Sequence, residues 1–180
     1  PPHSLFVLPV FLALAMSLAN AFAPNTSWDA AVAHLSLPEM YFMKHAIEVD
    51  PGITYSGYPH LLHSLFTFAY ASIGEQAAQL LSWVMALLAA CGAYALGKAL
   101  HSREAGAMAA ALLATTPLFF EQAGVASLDV SFTAFVLFGA ACLVTWTHTH
   151  DWRWLALGCW LLGSSCGVKH MGYVVCAGAL

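Results

Sequence analysis

Leu5-Phe6-Val7-Leu8-Pro9-Val10-Phe11-Leu12-Ala13-Leu14-Ala15-Met16-Ser17-Leu18-Ala19-Asn20-Ala21-Phe22-Ala23 is a run of 19 residues without Asp, Glu, Lys or Arg. At about 1.5 Å rise per residue a helix of this length covers roughly 28 Å, close to the hydrocarbon thickness of a bilayer. Asp29, the first formally charged residue of the chain, follows in Trp28-Asp29-Ala30-Ala31, where such a helix would leave the lipid. No basic n-region precedes the run, and Ala21-Phe22-Ala23 is a weak cleavage match. The run therefore reads as a retained helix in preference to a signal peptide.

Composition extends that reading to the whole chain. It is 61% hydrophobic and 8% charged, with a mean hydropathy of +0.75, whereas a soluble domain carries about 25% charged residues. The net charge of −4 is spread out, with no basic stripe, which argues against a nucleic-acid partner. Six Trp and six Tyr suit interfacial anchoring in membrane lipid. Cys91, Cys142, Cys159, Cys166 and Cys176 all lie in apolar segments without a CxxC pair, and read as small buried hydrophobes. The chain starts without Met and ends in the apolar run Val174–Leu180, as expected of an N-terminal piece of a longer protein that is inactive alone.

The expected architecture is all-α: a polytopic transmembrane helix bundle with a large first extracytoplasmic loop containing juxtamembrane helices. Spans are expected at about residues 5–23, 76–100, 105–120, 130–147 and 154–168, with a sixth starting at 170 and the first external loop over 24–75. In that loop Pro59–Gly74 is apolar but carries His60 and His63 and is bounded by Pro and Gly, so it reads as an interfacial or re-entrant helix. With the N-terminus inside, Lys98, Arg103 and Arg153 are cytoplasmic, against Lys44 and Lys169 outside. In either orientation Asp29, Glu39, His60, Asp129 and Lys169 share one side. Gly163-Ser164-Ser165-Cys166-Gly167 is a GxxxG that predicts close helix packing.

Ionisable groups near the membrane carry the chemistry, because each costs about 2.5–3.5 kcal/mol at membrane depth unless partnered or used. Asp29 and Asp129 have a structural reading as caps of the helices they precede. Their functional reading is a pair of acids converging from separate loops: a partly desolvated carboxylate takes a proton from an acceptor, and its neighbour orients that acceptor. Lys169, in Gly167-Val168-Lys169-His170-Met171-Gly172, reads either as a snorkelling helix-end lysine or as a clamp for a lipid-borne phosphate. His34, His45, His60 and His63 crowd the first loop. No cofactor is fixed by the sequence. A divalent metal held by His60 and His63 with Asp29 or Glu39, His63 and Glu39 being the named metal candidates, is the reading set against ordinary interfacial histidines. Asn25-Thr26-Ser27 matches the N-glycosylation pattern but lies close to the membrane.

Several short motifs, in order, resemble the bacterial membrane glycosyltransferases of the GT-C fold, relatives of protein O-mannosyltransferases and of the lipid A aminoarabinose transferase. These are Asp29 after the first span, His34-Leu35-Ser36-Leu37-Pro38-Glu39-Met40-Tyr41, Tyr58-Pro59-His60-Leu61-Leu62 with Ala71-Ser72-Ile73-Gly74, Ala126-Ser127-Leu128-Asp129, and Gly167-Val168-Lys169. The resemblance implies inverting transfer of a sugar from a polyprenyl-phosphate donor to a lipid, glycan or protein acceptor outside a bacterial inner membrane. It implies Asp29 and Asp129 as catalytic acids and Lys169 on the carrier phosphate, with His34, Tyr58 and His60 as further substrate-binding candidates. Many mannosyltransferase relatives have an acidic pair where this chain has Asp29-Ala30. The alternative class is a membrane transporter or lipid flippase, for which inverted repeats are the usual sign; none is evident.

Overall fold

The computed structural model describes residues 4–179, so Leu180, the end of the last apolar run, lies outside the described residues. All regular structure there is helical: α1 Ser4–Ala21, α2 Ser36–Lys44, α3 Leu61–Ile73, α4 Glu75–Leu100, α5 Arg103–Thr115, α6 Pro117–Ala123, α7 Leu128–Thr149, α8 Trp152–Val168 and α9 Met171–Gly178. A π-helical turn, Ala30–His34, and a 3-10 turn, Thr54–Gly57, lie between α1 and α3. Among these helices α4 and α7 are long and apolar enough to cross a membrane; α1 and α3 are apolar but shorter.

Helix α4 is the centre of the molecule, packed on α7, α5, α3 and α1, while α7 also carries α8. The close approaches are made by small residues, since helix association in lipid rests on backbone proximity and van der Waals contact. At the α4–α5 crossing a Cβ on Gly106 would meet the Tyr94 carbonyl oxygen at 2.5 Å, and one on Gly97 would meet the Gly106 Cα at 2.9 Å. Between α7 and α8, Gly139 faces Leu162 and Gly158 faces Leu143. The expected GxxxG is not this interface. Gly163 has open space where a Cβ would stand, and Gly167 instead receives Leu61 of α3. The α3–α4 joint is Gly74, at φ +79, a conformation that favours glycine.

The stretch expected as one span over 105–120 is two helices. Helix α5 ends at Thr115, Thr116 is extended, and Pro117 starts α6; proline has no N–H to continue the first helix and is well placed in the first turn of the next. Polar side chains of α4 hold α1 and the chain just after it: the Trp83 indole N–H donates to the Leu14 carbonyl at 2.8 Å, and the Gln79 amide donates to the Ala23 carbonyl at 3.3 Å. The cysteines divide: Cys142 is buried, Cys91 and Cys159 are exposed, and the Sγ atoms of Cys166 and Cys176 lie 3.6 Å apart. Asn25 closes an Asx turn on Ser27, its carbonyl oxygen accepting from the Ser27 N–H.

The connectivity brings three remote segments to one end of the bundle: the chain leaving α1, the start of α7 and the end of α8. A buried apolar cluster fastens them there, formed by Ala30 and Leu35, Leu62 and Phe66 of α3, Ala78 of α4, Ala126 and Leu128, and Val168.

Candidate functional site

Ala30, Leu128 and Val168 are 0%, 6% and 0% exposed in that cluster, and each is a sequence neighbour of a charged residue. Burying the apolar member leaves Asp29, Asp129 and Lys169 at the surface of the core. All three line one cleft of about 330 Å³, together with His34, Tyr55, Tyr58 and His170. The burial of Ala30 also accounts for the missing acidic pair: a carboxylate there would be desolvated in an apolar core.

Neither acid is a helix cap. Asp29 has helical backbone angles and makes no capping hydrogen bond. The cap of α7 is Ser127, whose hydroxyl accepts from the Asp129 N–H at 3.2 Å. Both carboxylates are thereby free of that structural duty. The Lys169 ammonium donates to Asp129 Oδ1 across the cleft. Their side chains are 42% and 63% exposed, so the pair is solvent-screened and adds little stability, about 0–1 kcal/mol. An incoming anion can therefore take the ammonium from Asp129 at small cost. Asp29 is exposed in the cleft, rather than partly desolvated as its position suggested.

Behind the charged rim lies a layer of imidazoles. His34 Nδ1 and His63 Nε2 are 3.2 Å apart. His60 stacks edge-on to His63 with ring centroids 6.4 Å apart, and its Nδ1 is 3.2 Å from the Tyr41 hydroxyl. His63 is 1% exposed. Burial, reinforced by the neighbouring His34 and His60, pushes its pKa down to about 3, so it is neutral at physiological pH. Burial also holds the His34 imidazole below the usual range, against the pull of the Asp29 and Asp129 carboxylates and with the Lys169 charge assisting.

A family model for dolichyl-phosphate-mannose-protein mannosyltransferases matches residues 58–180, more than half of the chain. The chain belongs to that mannosyltransferase family. No curated protein and no solved structure matches it. Membership makes it a membrane glycosyltransferase, in agreement with the resemblance to the GT-C enzymes and with its two membrane-length helices. Within the mannosyltransferase match lie Tyr58, His60, Asp129 and Lys169; Asp29 and His34 precede it.

Of the expected site residues, the fold of this mannosyltransferase-family chain gathers Asp29, His34, Tyr58, Asp129 and Lys169 in the cleft. His60 stands outside it, paired with Tyr41. The metal candidates have different neighbours: burial and the nearby Glu39 carboxylate push the Tyr70 phenol up, while His63 is enclosed against His34. Among the described residues no three His, Cys, Asp or Glu side chains are grouped to hold a metal ion, so the Glu39/His63 arrangement does not fit one. Sequence reasoning missed Tyr55 and His170, which form an aromatic wall with Tyr58. The Tyr55–Tyr58 and Tyr58–His170 centroids are 5.6 and 5.4 Å apart, both edge-on. The signal for Tyr55 was a second tyrosine three residues before Tyr58, which the 3-10 turn Thr54–Gly57 brings back beside it.

Proposed function

We propose that the protein transfers a sugar, with inversion, from a polyprenyl-phosphate donor to an extracytoplasmic acceptor at a bacterial inner membrane. In this reading the chain threads the bilayer several times, with the loop over residues 24–75 outside. The observation that carries it is the convergence of two carboxylates and one ammonium in a single cleft at one end of an apolar bundle.

Each group has a distinct task. The acceptor oxygen forms a bond to the anomeric carbon while the bond from that carbon to the phosphate oxygen breaks. The phosphate leaves with the bonding electron pair, and the acceptor proton passes to the Asp29 carboxylate as general base. Lys169 neutralises the charge that grows on the leaving phosphate. Asp129, released when the phosphate takes its ammonium partner, orients the acceptor. Tyr58 supplies a face for the sugar ring beside His34. No step requires a metal, and one would have to be held by groups other than Glu39 and His63.

The test uses the full-length protein in native membranes with a radiolabelled polyprenyl-phosphate sugar. Asp29→Asn should abolish labelled product while inserting at the normal level. Full transfer by that variant would remove Asp29 from the chemistry. Movement of label into sealed vesicles without covalent product would instead indicate a transporter.

A further inference from the structure

Helices α8 and α9 are joined by two residues, Lys169 and His170, and both line the cleft. Lys169 is extended, at φ −150 and ψ 143, so no helical hydrogen-bond ladder braces the joint. Helix α9 packs back against α8, and the angle between the two sets where the Lys169 ammonium reaches. Gly172, in the first turn of α9, presses on the end of α8. A Cβ there would collide with the Cys166 backbone nitrogen and would meet the Cys166 Cα at 2.6 Å.

Each helix carries a cysteine close to this joint: Cys166 in the last turn of α8 and Cys176 in the second turn of α9. Their Sγ atoms are 3.6 Å apart. Both thiols converge on one acceptor, the Leu162 carbonyl, at 3.3 Å from Cys176 and 4.0 Å from Cys166. Neither residue is fully buried. A disulfide holds its sulfurs about 2.0 Å apart, so a gap of about 1.6 Å remains. The helix backbones already touch at Gly172, which leaves that gap to rotation about the two side chains.

We propose that Cys166 and Cys176 are a disulfide site, whose oxidation staples α9 to α8 and fixes the joint with Lys169 turned into the cleft. The oxidant is the disulfide of an extracytoplasmic thiol–disulfide oxidoreductase. One thiolate of the pair attacks a sulfur of that disulfide and expels a thiolate. The second then attacks the mixed disulfide and expels the other. Two S–H bonds and the oxidant's S–S bond break, and one S–S bond forms in this chain. The two protons and two electrons end on the oxidant's dithiol. Such exchange belongs to an oxidising compartment, so its use in the cell rests on the glycosyl-transfer reading, which puts the cleft outside. The capacity of the pair to close does not. The cysteines touch no substrate; they position Lys169.

Thiol trapping of the full-length protein tests this. Cells are lysed into N-ethylmaleimide without reductant, and the protein is mapped by mass spectrometry. Cys166 and Cys176 should escape alkylation and be recovered in one linked peptide, and both should take the label once the protein is reduced. Alkylation of both in the freshly trapped protein overturns the site. Diamide added to the purified, reduced protein should close the same link; failure to close it overturns the geometry. Positioning is read from the KM for a radiolabelled polyprenyl-phosphate sugar. Dithiothreitol should raise that KM severalfold in the wild type with little change in kcat. Cys166→Ser, Cys176→Ser and the double variant should share the raised KM and no longer respond to dithiothreitol. A dithiothreitol response in the variants as large as in the wild type overturns the positioning role. A protein that carries the link but transfers no sugar sinks the glycosyl-transfer reading and leaves the disulfide site standing.

Discussion

Asp29, Asp129 and Lys169 stand in an open cleft, whereas His34, His63, His60 and Tyr41 run inward behind it. Both groups are polar clusters drawn from distant parts of the sequence, yet they are held in opposite ways. The outer charges are exposed and each is placed by a buried apolar neighbour, so they can exchange partners without disturbing the core. The inner rings are placed by hydrogen bonds, and burial resists protonation of His34 and His63. An exposed pair can release its ammonium to a ligand; an enclosed pair stays neutral.

The largest effect that separates the two layers lies in catalysis. Asp29→Asn should lower transfer by about 10²–10⁴, the usual contribution of a general base, with unchanged thermal unfolding in detergent. Asp129→Asn, whose carboxylate spends the resting state on Lys169, should lose less. Equal losses in the two variants would erase the distinction between base and orienting acid.

Next in size is the packing that positions the cleft from below. Gly106→Val at the α4–α5 crossing should destabilise the fold by about 1–3 kcal/mol through overpacking, because the Tyr94 carbonyl already occupies the space of its Cβ. Gly163→Ala, which has open space in the described chain, should leave the unfolding temperature where it is. A reversed order of the two would mean that the GxxxG is the tighter interface after all.

The inner layer should show itself in acid. An unfolded histidine takes up its proton near pH 6.5, while folded His63 does so only at about 3. Between these values the unfolded state binds more protons, so the His63 contribution is complete above pH 6.5 and is lost as pH falls below it. The slope is at most about 1.4 kcal/mol per pH unit. Unfolding midpoints measured from pH 7 to pH 4.5 should decline less steeply in His63→Met than in the wild type; parallel curves would show that His63 is not held neutral.

The smallest stability effect belongs to the outer layer. Lys169→Gln breaks an exposed ion pair and should shift stability by under about 1 kcal/mol, while raising the apparent KM for the lipid-phosphate donor about tenfold. A large loss of stability with normal donor affinity would make the pair a structural strut.

Much of the site was legible in the chain itself, since charges are so sparse that Asp29, Asp129 and Lys169 could be singled out by inspection, and helix parity placed them on one side. The cap readings did not survive, because Ser127 and Asp129 are both able caps and only the backbone at the start of α7 decides between them. The GxxxG reading failed for a related reason: spacing fixes which residues share a helix face but not which helix that face meets. His63 was legible as a histidine one helical turn from His60, but its enclosure and its bond to His34 depend on how α3 meets the turn after Asp29.

Sequence by itself determined the apolar helices, the ends at which charge is allowed, and the small residues that let helices touch, because each follows from local periodicity and the cost of burying charge. The tertiary structure alone decided that Ala30, Leu128 and Val168 meet in one core, that Lys169 reaches Asp129 rather than Asp29, and that His34 is backed by His63. Those are contacts between segments 29 to about 140 residues apart, set by which helix faces pack together, and no local pattern encodes them.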